Sequence, residues 1–150
     1  MRPSIITIVL LMFLSACSPQ SNQHYEKEES LISSFLNDAE VEFCILIPVE
    51  GCTTCTNHGL KFAENNIENN KIRFILTDVS SQKNTKIKVG EKLFTHPRIS
   101  IDYENVFTQA EMVTYNPTIL HLKAGTIIQI EETTSDNVNE RLELILNLTR

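Results

Sequence analysis

Two cysteines three positions apart are the residues of this chain best suited to chemistry. Cys52 and Cys55 form a Cys-x-x-Cys pair, with Thr53 and Thr54 between them. The thiolate is the form of cysteine that attacks a disulfide, and in Cys-x-x-Cys motifs at helix starts the pKa of a thiol commonly falls from about 8.5 towards about 7. The pair therefore predicts thiol–disulfide exchange, in which Cys52 is the nucleophile and Cys55, one helical turn on, resolves the mixed disulfide.

The segments on either side of the pair have the composition needed to position it. The run from Glu42 to Pro48 is almost wholly apolar, as expected of a central strand covered on both faces, and a short turn containing Gly51 follows. A helix is predicted over Thr53–Asn69, with an apolar stripe made of Leu60, Ala63 and Ile67. The free N–H groups and partial positive charge at the start of this helix would stabilise a thiolate.

Helix and strand patterns alternate over the rest of the chain and end in a hairpin and a helix. Before the motif, a helix is predicted over Glu26–Asn37; it packs on the sheet edge and has Ser30 as its candidate cap. After the motif helix, the predicted elements are a strand over Lys71–Asp78, a loop over Ser80–Thr85, a helix or an irregular crossover over Lys86–Phe94, a brief strand over Arg98–Ile101 and a helix over Val106–Met112. The chain then forms a hairpin of Thr118–Leu122 and Thr126–Ile130 around Lys123-Ala124-Gly125, and a helix capped by Ser135 or Asp136 that runs to Leu148. This order predicts an α/β fold with a central mixed β-sheet flanked by helices.

At this level the chain resembles the thioredoxin-like family, in particular the membrane-tethered exported thiol–disulfide oxidoreductases of the TlpA/ResA kind. The resemblance covers about residues 40–150 and rests on the Cys-x-x-Cys motif after a buried strand, on Asn116-Pro117-Thr118 before the hairpin, and on the terminal helix. It implies a thioredoxin-like fold and a redox-active disulfide between Cys52 and Cys55. It also implies that Pro117 is cis and lies against the dithiol, where Pro117 and the Asn116 backbone form a groove for an extended substrate peptide.

The chain departs from the family pattern at three positions. Gly51 precedes the motif where thioredoxins have Trp, and the chain contains no Trp. Leu46 occupies the stretch where thioredoxins bury a proton-relay carboxylate, and Glu50 lies nearer to the motif in the turn. His58 stands where tethered relatives often carry Glu. A histidine side chain can both accept and release a proton, which would suit a proton shuttle, although a histidine there is more often a helix-surface residue.

The first residues predict export and lipidation. Met1-Arg2-Pro3 is a short basic start, and the apolar stretch Ile5–Leu14 is too short to cross a bilayer as a helix, which takes about 20 residues. Leu14-Ser15-Ala16-Cys17 resembles the lipobox of bacterial lipoproteins, in which the cysteine is acylated. We therefore expect a signal peptide at residues 1–16, a tether at 17–25 attached to the membrane through lipidated Cys17, and a thioredoxin-like domain at 26–150.

Lipidation changes the cysteine count. Of the four cysteines, Cys17 would carry lipid, which leaves Cys44 beside the Cys52–Cys55 pair. Cys44 lies in the apolar strand, where a cysteine usually behaves as a small buried hydrophobic residue. An extra resolving thiol is the alternative interpretation of Cys44.

Composition limits the partners. A net charge of −6 over 150 residues, with no basic cluster, argues against binding of nucleic acid. No cofactor or resident metal is expected, and the partners would be envelope protein thiols or disulfides. A reductant would also need a membrane electron donor.

The residue after Cys17 is not Asp. By resemblance to bacterial lipoproteins, this favours attachment to the outer membrane, with the domain facing the periplasm.

Two other function classes stay open at this stage. Cys52, Cys55 and His58 could bind copper or zinc for delivery, with His96 or His121 completing the site. A c-type haem is excluded at the motif because Thr56, not His, follows Cys55. The third possibility is a non-catalytic binding module, but a disulfide closing so short a loop would constrain the unfolded chain little.

Overall fold

A computed structural model of the protein describes residues 25–36 and 38–150. The predicted signal peptide, the lipidation site Cys17 and the tether up to residue 24 lie outside the described residues. The elements, in chain order, are α1 (Glu26–Ser33), β1 (Phe43–Pro48), α2 (Thr53–Asn66), β2 (Ile72–Thr77), α3 (Gln82–Val89), α4 (Glu91–Phe94), β3 (Ile99–Ile101), α5 (Val106–Gln109), β4 (Thr118–Lys123), β5 (Thr126–Glu132) and α6 (Val138–Leu148).

The five strands form one mixed sheet in the order β3-β2-β1-β4-β5. β1 pairs in parallel with β2 and antiparallel with β4, and all six of its residues are buried. The predicted central strand is thus confirmed, and its apolar composition follows from its being covered on both faces. With helices on both sides of this sheet, the predicted thioredoxin-like α/β fold is confirmed.

Alternation along the strands divides the core into two clusters, one on each face of the sheet. One cluster receives apolar side chains from α2 and α6, namely Leu60, Ala63, Ile67, Val138, Leu142 and Ile145. The other receives Ile32 of α1, Phe107 of α5, and Met112 and Val113 from the loop before β4. These clusters hold the start of α2 and the 112–117 loop against the same central strand.

Strand direction brings two distant segments to one edge of the sheet. β1 ends at Pro48, directly before the turn that carries the motif, and β4 begins at Thr118, which lies opposite Leu46 of β1. Because β4 is antiparallel to β1, the residues before Thr118 arrive at the edge where β1 ends. The Cys52 N–H and the Tyr115 carbonyl can form a hydrogen bond for this reason.

The hairpin and the first helix lie where the sequence predicts them. β4 and β5 are joined through Ala124 and Gly125, whose φ angles of 51° and 82° are both positive, as a two-residue type I′ turn requires. α1 contacts the edge strand β5, and the backbone N–H of Ile127 donates a hydrogen bond of 3.2 Å to the Glu29 carboxylate. Ser30 does not cap α1, because the helix begins at Glu26 and includes it.

Two other helix starts differ from the prediction. The predicted loop over Ser80–Thr85 is wrong, because α3 begins at Gln82 and Ser81 Oγ caps it by accepting from the Asn84 N–H at 3.2 Å. Only Thr85 and Val89 of α3 are buried, so its sequence carries little apolar periodicity. α6 is not capped by Ser135 or Asp136, since it begins at Val138 and the Asn137 side chain accepts from the Thr134 N–H at 2.7 Å.

None of the helices in the described ranges is long and apolar enough to span a bilayer.

A partly buried charge cluster fastens α6 to the hairpin. Glu131 of β5 accepts hydrogen bonds from the Arg141 guanidinium, with Nη2–Oε2 at 2.7 Å, and its Oε2 lies 3.2 Å from His121 Nε2. The hydrogen bonds from Arg141, and then from His121, lower the pKa of Glu131 below its usual 4.5. A carboxylate whose folded pKa is lowered stabilises the fold fully above its unfolded pKa, and loses that contribution as the pH falls through its folded pKa.

We predict that Glu131→Gln lowers the free energy of unfolding by about 1–2 kcal/mol near neutral pH, because Arg141 loses its charged partner. The deficit should shrink as the pH falls below about 4.5, where the carboxylate of the wild type is itself protonated in the unfolded state. Urea denaturation across pH measures this. Glu132→Gln, one residue away and exposed, is the control, and a deficit that is the same at acidic and neutral pH would contradict the assignment.

Candidate functional site

The two cysteines meet at the first turn of α2. Cys52 is the N-terminal cap residue of the helix and is half-buried, whereas Cys55 is fully buried. Their Sγ atoms lie 2.7 Å apart, within reach of a hydrogen bond between the two sulfurs. A disulfide has an S–S length of about 2.05 Å, so oxidation would require only a small approach of the two sulfurs.

Thr56 ties the first turn of α2 to the end of the central strand. Its backbone N–H donates to the Cys52 carbonyl at 2.8 Å, and its buried Oγ1 donates to the Pro48 carbonyl, also at 2.8 Å. A fixed first turn keeps the N–H groups of α2 directed at the Cys52 sulfur. The sequence offered no signal for this role beyond the presence of a hydroxyl after Cys55.

A second backbone contact joins the motif to the loop before β4. The Cys52 N–H donates to the Tyr115 carbonyl oxygen at 2.7 Å. A Cβ on Gly51 would lie 2.4 Å from that same oxygen and 2.9 Å from Pro48 Cγ. The loop therefore passes too close to residue 51 for any side chain, which is the physical reason that Gly51 stands where the family pattern has Trp.

The structure places the predicted groove residues beside the dithiol but corrects the geometry of Pro117. Pro117 is buried, and its ring packs on α2 so closely that a Cβ on Gly59 would lie 3.3 Å from Pro117 Cγ. The peptide bond before Pro117 is trans, as are all peptide bonds in the described ranges, so the cis form implied by the resemblance is wrong here. Trans is the intrinsically favoured isomer by about 0.5–1 kcal/mol.

Both carbonyls that flank Asn116 are engaged within the protein. The Tyr115 carbonyl accepts from Cys52, and the Pro117 carbonyl accepts from Thr133, at 3.1 Å from its N–H and 2.6 Å from its Oγ1. Asn116 itself is half-buried, and no hydrogen bond within residues 25–36 and 38–150 uses its backbone N–H or carbonyl. Asn116 therefore keeps its backbone N–H and carbonyl available, one residue away from the carbonyl that holds the motif.

The surroundings of the two thiols shift their pKa values in opposite directions. The pKa of Cys52 is lowered, chiefly by the hydrogen bond from the Cys55 thiol and then by the backbone N–H of Cys55, with a smaller contribution from the N–H of Thr54. These donors satisfy the sulfur in its charged form. Cys52 is thus the thiol that ionises first and the one that faces solvent.

Cys55 has the opposite character. Its pKa is raised to about 11, chiefly by burial and then by the hydrogen bond with Cys52 and the negative charge of the Cys52 thiolate. The carboxylate of Asp136, in the loop between β5 and α6, adds a smaller effect in the same direction. Nothing in the sequence indicated that Asp136 would lie close enough to affect Cys55, because the two are 81 positions apart and are brought together by the fold.

His58 lies on α2 one turn after Cys55. It lines a groove of about 330 Å³ between α2 and α6, together with Lys61, Phe62, Asn65, Asn139, Leu142 and Glu143. In the part of the chain that the structure describes, no hydrogen bond joins His58 to either thiol. Its role as a proton shuttle stays a prediction.

The alternative metal site is not assembled by the described residues. Within residues 25–36 and 38–150, no group of three or more His, Cys, Asp or Glu side chains is arranged to hold a metal ion. His96 lies 3.4 Å from Glu68, and His121 is engaged with Glu131. His121 also lies opposite Phe43, at the end of β1 remote from the motif, so it cannot complete a site with Cys52 and Cys55.

Cys44 and Glu50, the other two candidates near the motif, have surroundings that account for them without a role in thiol exchange. Cys44 is fully buried in the cluster on the face opposite α2, and burial strongly raises its pKa, so it is the buried hydrophobic residue predicted as the simpler interpretation. Glu50 is exposed and accepts from Ser80 Oγ at 3.2 Å and from Lys88 Nζ at 3.4 Å. It therefore fastens the turn before the motif to α3.

Comparison with known proteins gives distant structural similarity alone. No protein-family model matches the chain, and no curated protein matches it either. A secreted Mycobacterium tuberculosis disulfide oxidoreductase homologous to E. coli DsbE is similar at 12% identity and a TM-score of 0.44, over 69% of this chain and 81% of that one. A protein from Chlorobium tepidum assigned as the thiol:disulfide interchange protein DsbE matches at 9% identity and a TM-score of 0.44, over 72% and 79% of the two chains. A thioredoxin-like protein from Bacteroides caccae matches at 13% identity and a TM-score of 0.42, over 69% of this chain and 40% of that one.

We predict that Gly51→Ala is more harmful than Gly59→Ala. The new Cβ at position 51 meets a backbone oxygen at 2.4 Å, which must move and so weakens the Cys52–Tyr115 hydrogen bond, at a cost of about 1–3 kcal/mol. The Cβ at position 59 meets the Pro117 ring at 3.3 Å, and the gain in helix propensity of about 1 kcal/mol offsets part of that contact. Thermal and urea denaturation of both variants measure the order, and equal stabilities would contradict it.

We also predict that Asp136→Asn lowers the pKa of Cys55, because a negative charge that disfavours its thiolate is removed. The shift should be smaller than the effect of burial, which is the largest cause. Thiolate absorbance of a Cys52→Ser background, followed against pH, isolates Cys55. Glu140→Gln, an exposed carboxylate on α6, is the matched control and should leave the titration of Cys55 unchanged.

Proposed function

We propose that this protein is a thiol–disulfide oxidoreductase of the bacterial cell envelope that uses the Cys52–Cys55 dithiol to exchange or reduce disulfides. The observation that carries the proposal is the contrast between the two thiols. Cys52, half-exposed at the start of α2, has a lowered pKa, while Cys55, buried 2.7 Å away, has a raised one. Such a pair supplies one thiolate that attacks the substrate and one protonated thiol that resolves the mixed disulfide in a later step.

The first step is attack on the substrate. The Cys52 thiolate forms a bond to one sulfur of a substrate disulfide, and the substrate S–S bond breaks. The second substrate sulfur leaves as a thiolate and takes a proton from solvent. The product is a mixed disulfide between Cys52 and the substrate, with no net change in the number of disulfides.

The second step is resolution by Cys55. Cys55 loses its proton and attacks the Cys52 sulfur of the mixed disulfide, forming the Cys52–Cys55 bond and releasing the other substrate thiolate. The substrate disulfide has then gained two electrons, and the dithiol has lost two. The 2.7 Å separation of the sulfurs means that this step needs little rearrangement of the protein.

The substrate segment would pair with the backbone of Asn116. No hydrogen bond within the described residues engages its N–H or carbonyl, whereas the neighbouring Tyr115 and Pro117 carbonyls both accept hydrogen bonds. An extended peptide can add to such a free peptide unit as a strand adds to a sheet edge. Pro117 would close the groove from the side of α2.

The cellular setting follows from the leader sequence. We infer that cleavage after residue 16 and acylation of Cys17 anchor the domain in the envelope membrane, with the outer membrane favoured and the domain facing the periplasm. Envelope proteins with thiols or disulfides are then the accessible substrates. Each cycle of reduction leaves the dithiol oxidised, so a membrane-associated dithiol donor would be needed to return two electrons to it.

The proposal predicts a reversible two-electron couple that requires both Cys52 and Cys55. The domain from residue 25 onward would be equilibrated in a dithiothreitol or glutathione redox series, and its dithiol content measured. Cys52→Ser and Cys55→Ser should each abolish the couple, and Cys55→Ser should accumulate the mixed disulfide because resolution is lost. Cys44→Ser should leave the couple unchanged, since that thiol is buried on the other face of the sheet.

Two results would overturn the proposal. Stoichiometric copper or zinc in the purified protein, removed by the same cysteine substitutions, would favour metal binding or delivery. A Cys52–Cys55 disulfide that never reduces reversibly would favour a non-catalytic binding module.

A further inference from the structure

We propose that the side chain of Tyr115 determines substrate specificity, by contacting an apolar or aromatic side chain next to the reacting cysteine of a polypeptide substrate. The inference rests on the proposed function and concerns which disulfides the dithiol accepts. It assigns the favoured substrate class to protein segments with an apolar residue beside the cysteine, in preference to small disulfides that lack one.

The first support is the fixed position of Tyr115. Its carbonyl oxygen is bound to the Cys52 N–H at 2.7 Å and lies against Gly51, where even a Cβ would be 2.4 Å away. The backbone of Tyr115 is therefore held at the residue that carries out the attack. A substrate sulfur that reaches Cys52 brings its neighbouring residues within range of the Tyr115 ring.

The second support is the exposure of the ring. Tyr115 is 75% exposed, the largest exposed fraction among the large hydrophobic side chains of the described residues. The others lie elsewhere in the fold, on α3, β5 and α6 and after β3: Ile87, Ile128, Leu144, Leu148 and Tyr103. An aromatic ring left uncovered at a reactive site is the kind of side chain that anchors protein contacts, because tyrosine offers a large contact area with few rotatable bonds.

The third support is the arrangement of polar groups next to the ring. Tyr115 adjoins Asn116, whose peptide unit is available to pair with an extended backbone. A polypeptide can use both features together, with its backbone on Asn116 and a side chain on Tyr115. A small disulfide reaches the Cys52 sulfur without covering the ring, so it gains nothing from Tyr115.

The test compares three disulfide substrates under single-turnover conditions with the reduced domain. Two are peptides that differ only in having Phe or Gly beside the disulfide-bonded cysteine, and the third is glutathione disulfide. The wild type should react about three- to tenfold faster with the Phe peptide than with the Gly peptide, the range that one aromatic contact supplies. Tyr115→Ala should remove that preference, by slowing the Phe peptide several-fold more than it slows glutathione disulfide, whereas Tyr115→Phe should retain the preference.

Tyr103→Ala, which removes an exposed tyrosine two strands away, is the matched control and should behave as wild type. The inference is overturned if the wild type shows no preference, or if Tyr115→Ala slows all three substrates equally. Failure of the proposed function looks different, because the wild type would then reduce none of the three, glutathione disulfide included. Thermal denaturation of each variant confirms that exposed substitutions at 103 and 115 leave the fold intact.

Discussion

The site depends on one hydrogen bond, from the Cys52 N–H to the Tyr115 carbonyl. It joins the turn after the central strand to the loop before β4, two segments that are far apart in sequence and meet because β4 is antiparallel to β1. The bond can form only because residue 51 has no side chain. A bulky aromatic residue before the motif and this backbone contact are therefore mutually exclusive, so the absence of Trp is a consequence of how the loop is attached to the motif.

The same loop is fixed from its other side by hydrogen bonds and packing. Pro117 packs on Gly59 of α2, and its carbonyl accepts two hydrogen bonds from Thr133, at the start of the loop that leads to α6. The carbonyls before and after Asn116 are thus engaged, while the backbone N–H and carbonyl of Asn116 make no hydrogen bond within the described residues. The chain thus positions a potential pairing site for a substrate backbone with its own main chain, which makes the geometry insensitive to most side-chain identities in the loop.

The elements that the sequence predicted well are those specified by local patterns. β1, the start of α2 and the hairpin follow from an apolar run, a Cys-x-x-Cys pair after a glycine turn, and Ala124-Gly125 at positive φ. The first turn of α3 was predicted as a loop because this helix buries only Thr85 and Val89, which leaves no apolar stripe to detect. The close approach of Tyr115 to Gly51, and the electrostatic effect of Asp136 on Cys55, could not be predicted, because each depends on how segments distant in sequence meet in the fold. The isomer at Pro117 was carried over from the family, and the loop satisfies its hydrogen bonds with a trans bond instead.

Leu46 stands in the stretch of β1 where thioredoxins bury a proton-relay carboxylate, and it is fully buried, which raises the question of how Cys55 loses its proton. Part of the answer lies in the causes of the raised pKa of Cys55, which are burial, the hydrogen bond with Cys52, the Cys52 charge and Asp136. Once Cys52 is bonded to a substrate, it carries no charge and no longer needs the Cys55 thiol as a donor, so two of these four causes disappear. Under the proposed function, formation of the mixed disulfide would by itself lower the pKa of Cys55, so that Cys55 would become a better nucleophile once Cys52 is bonded to a substrate.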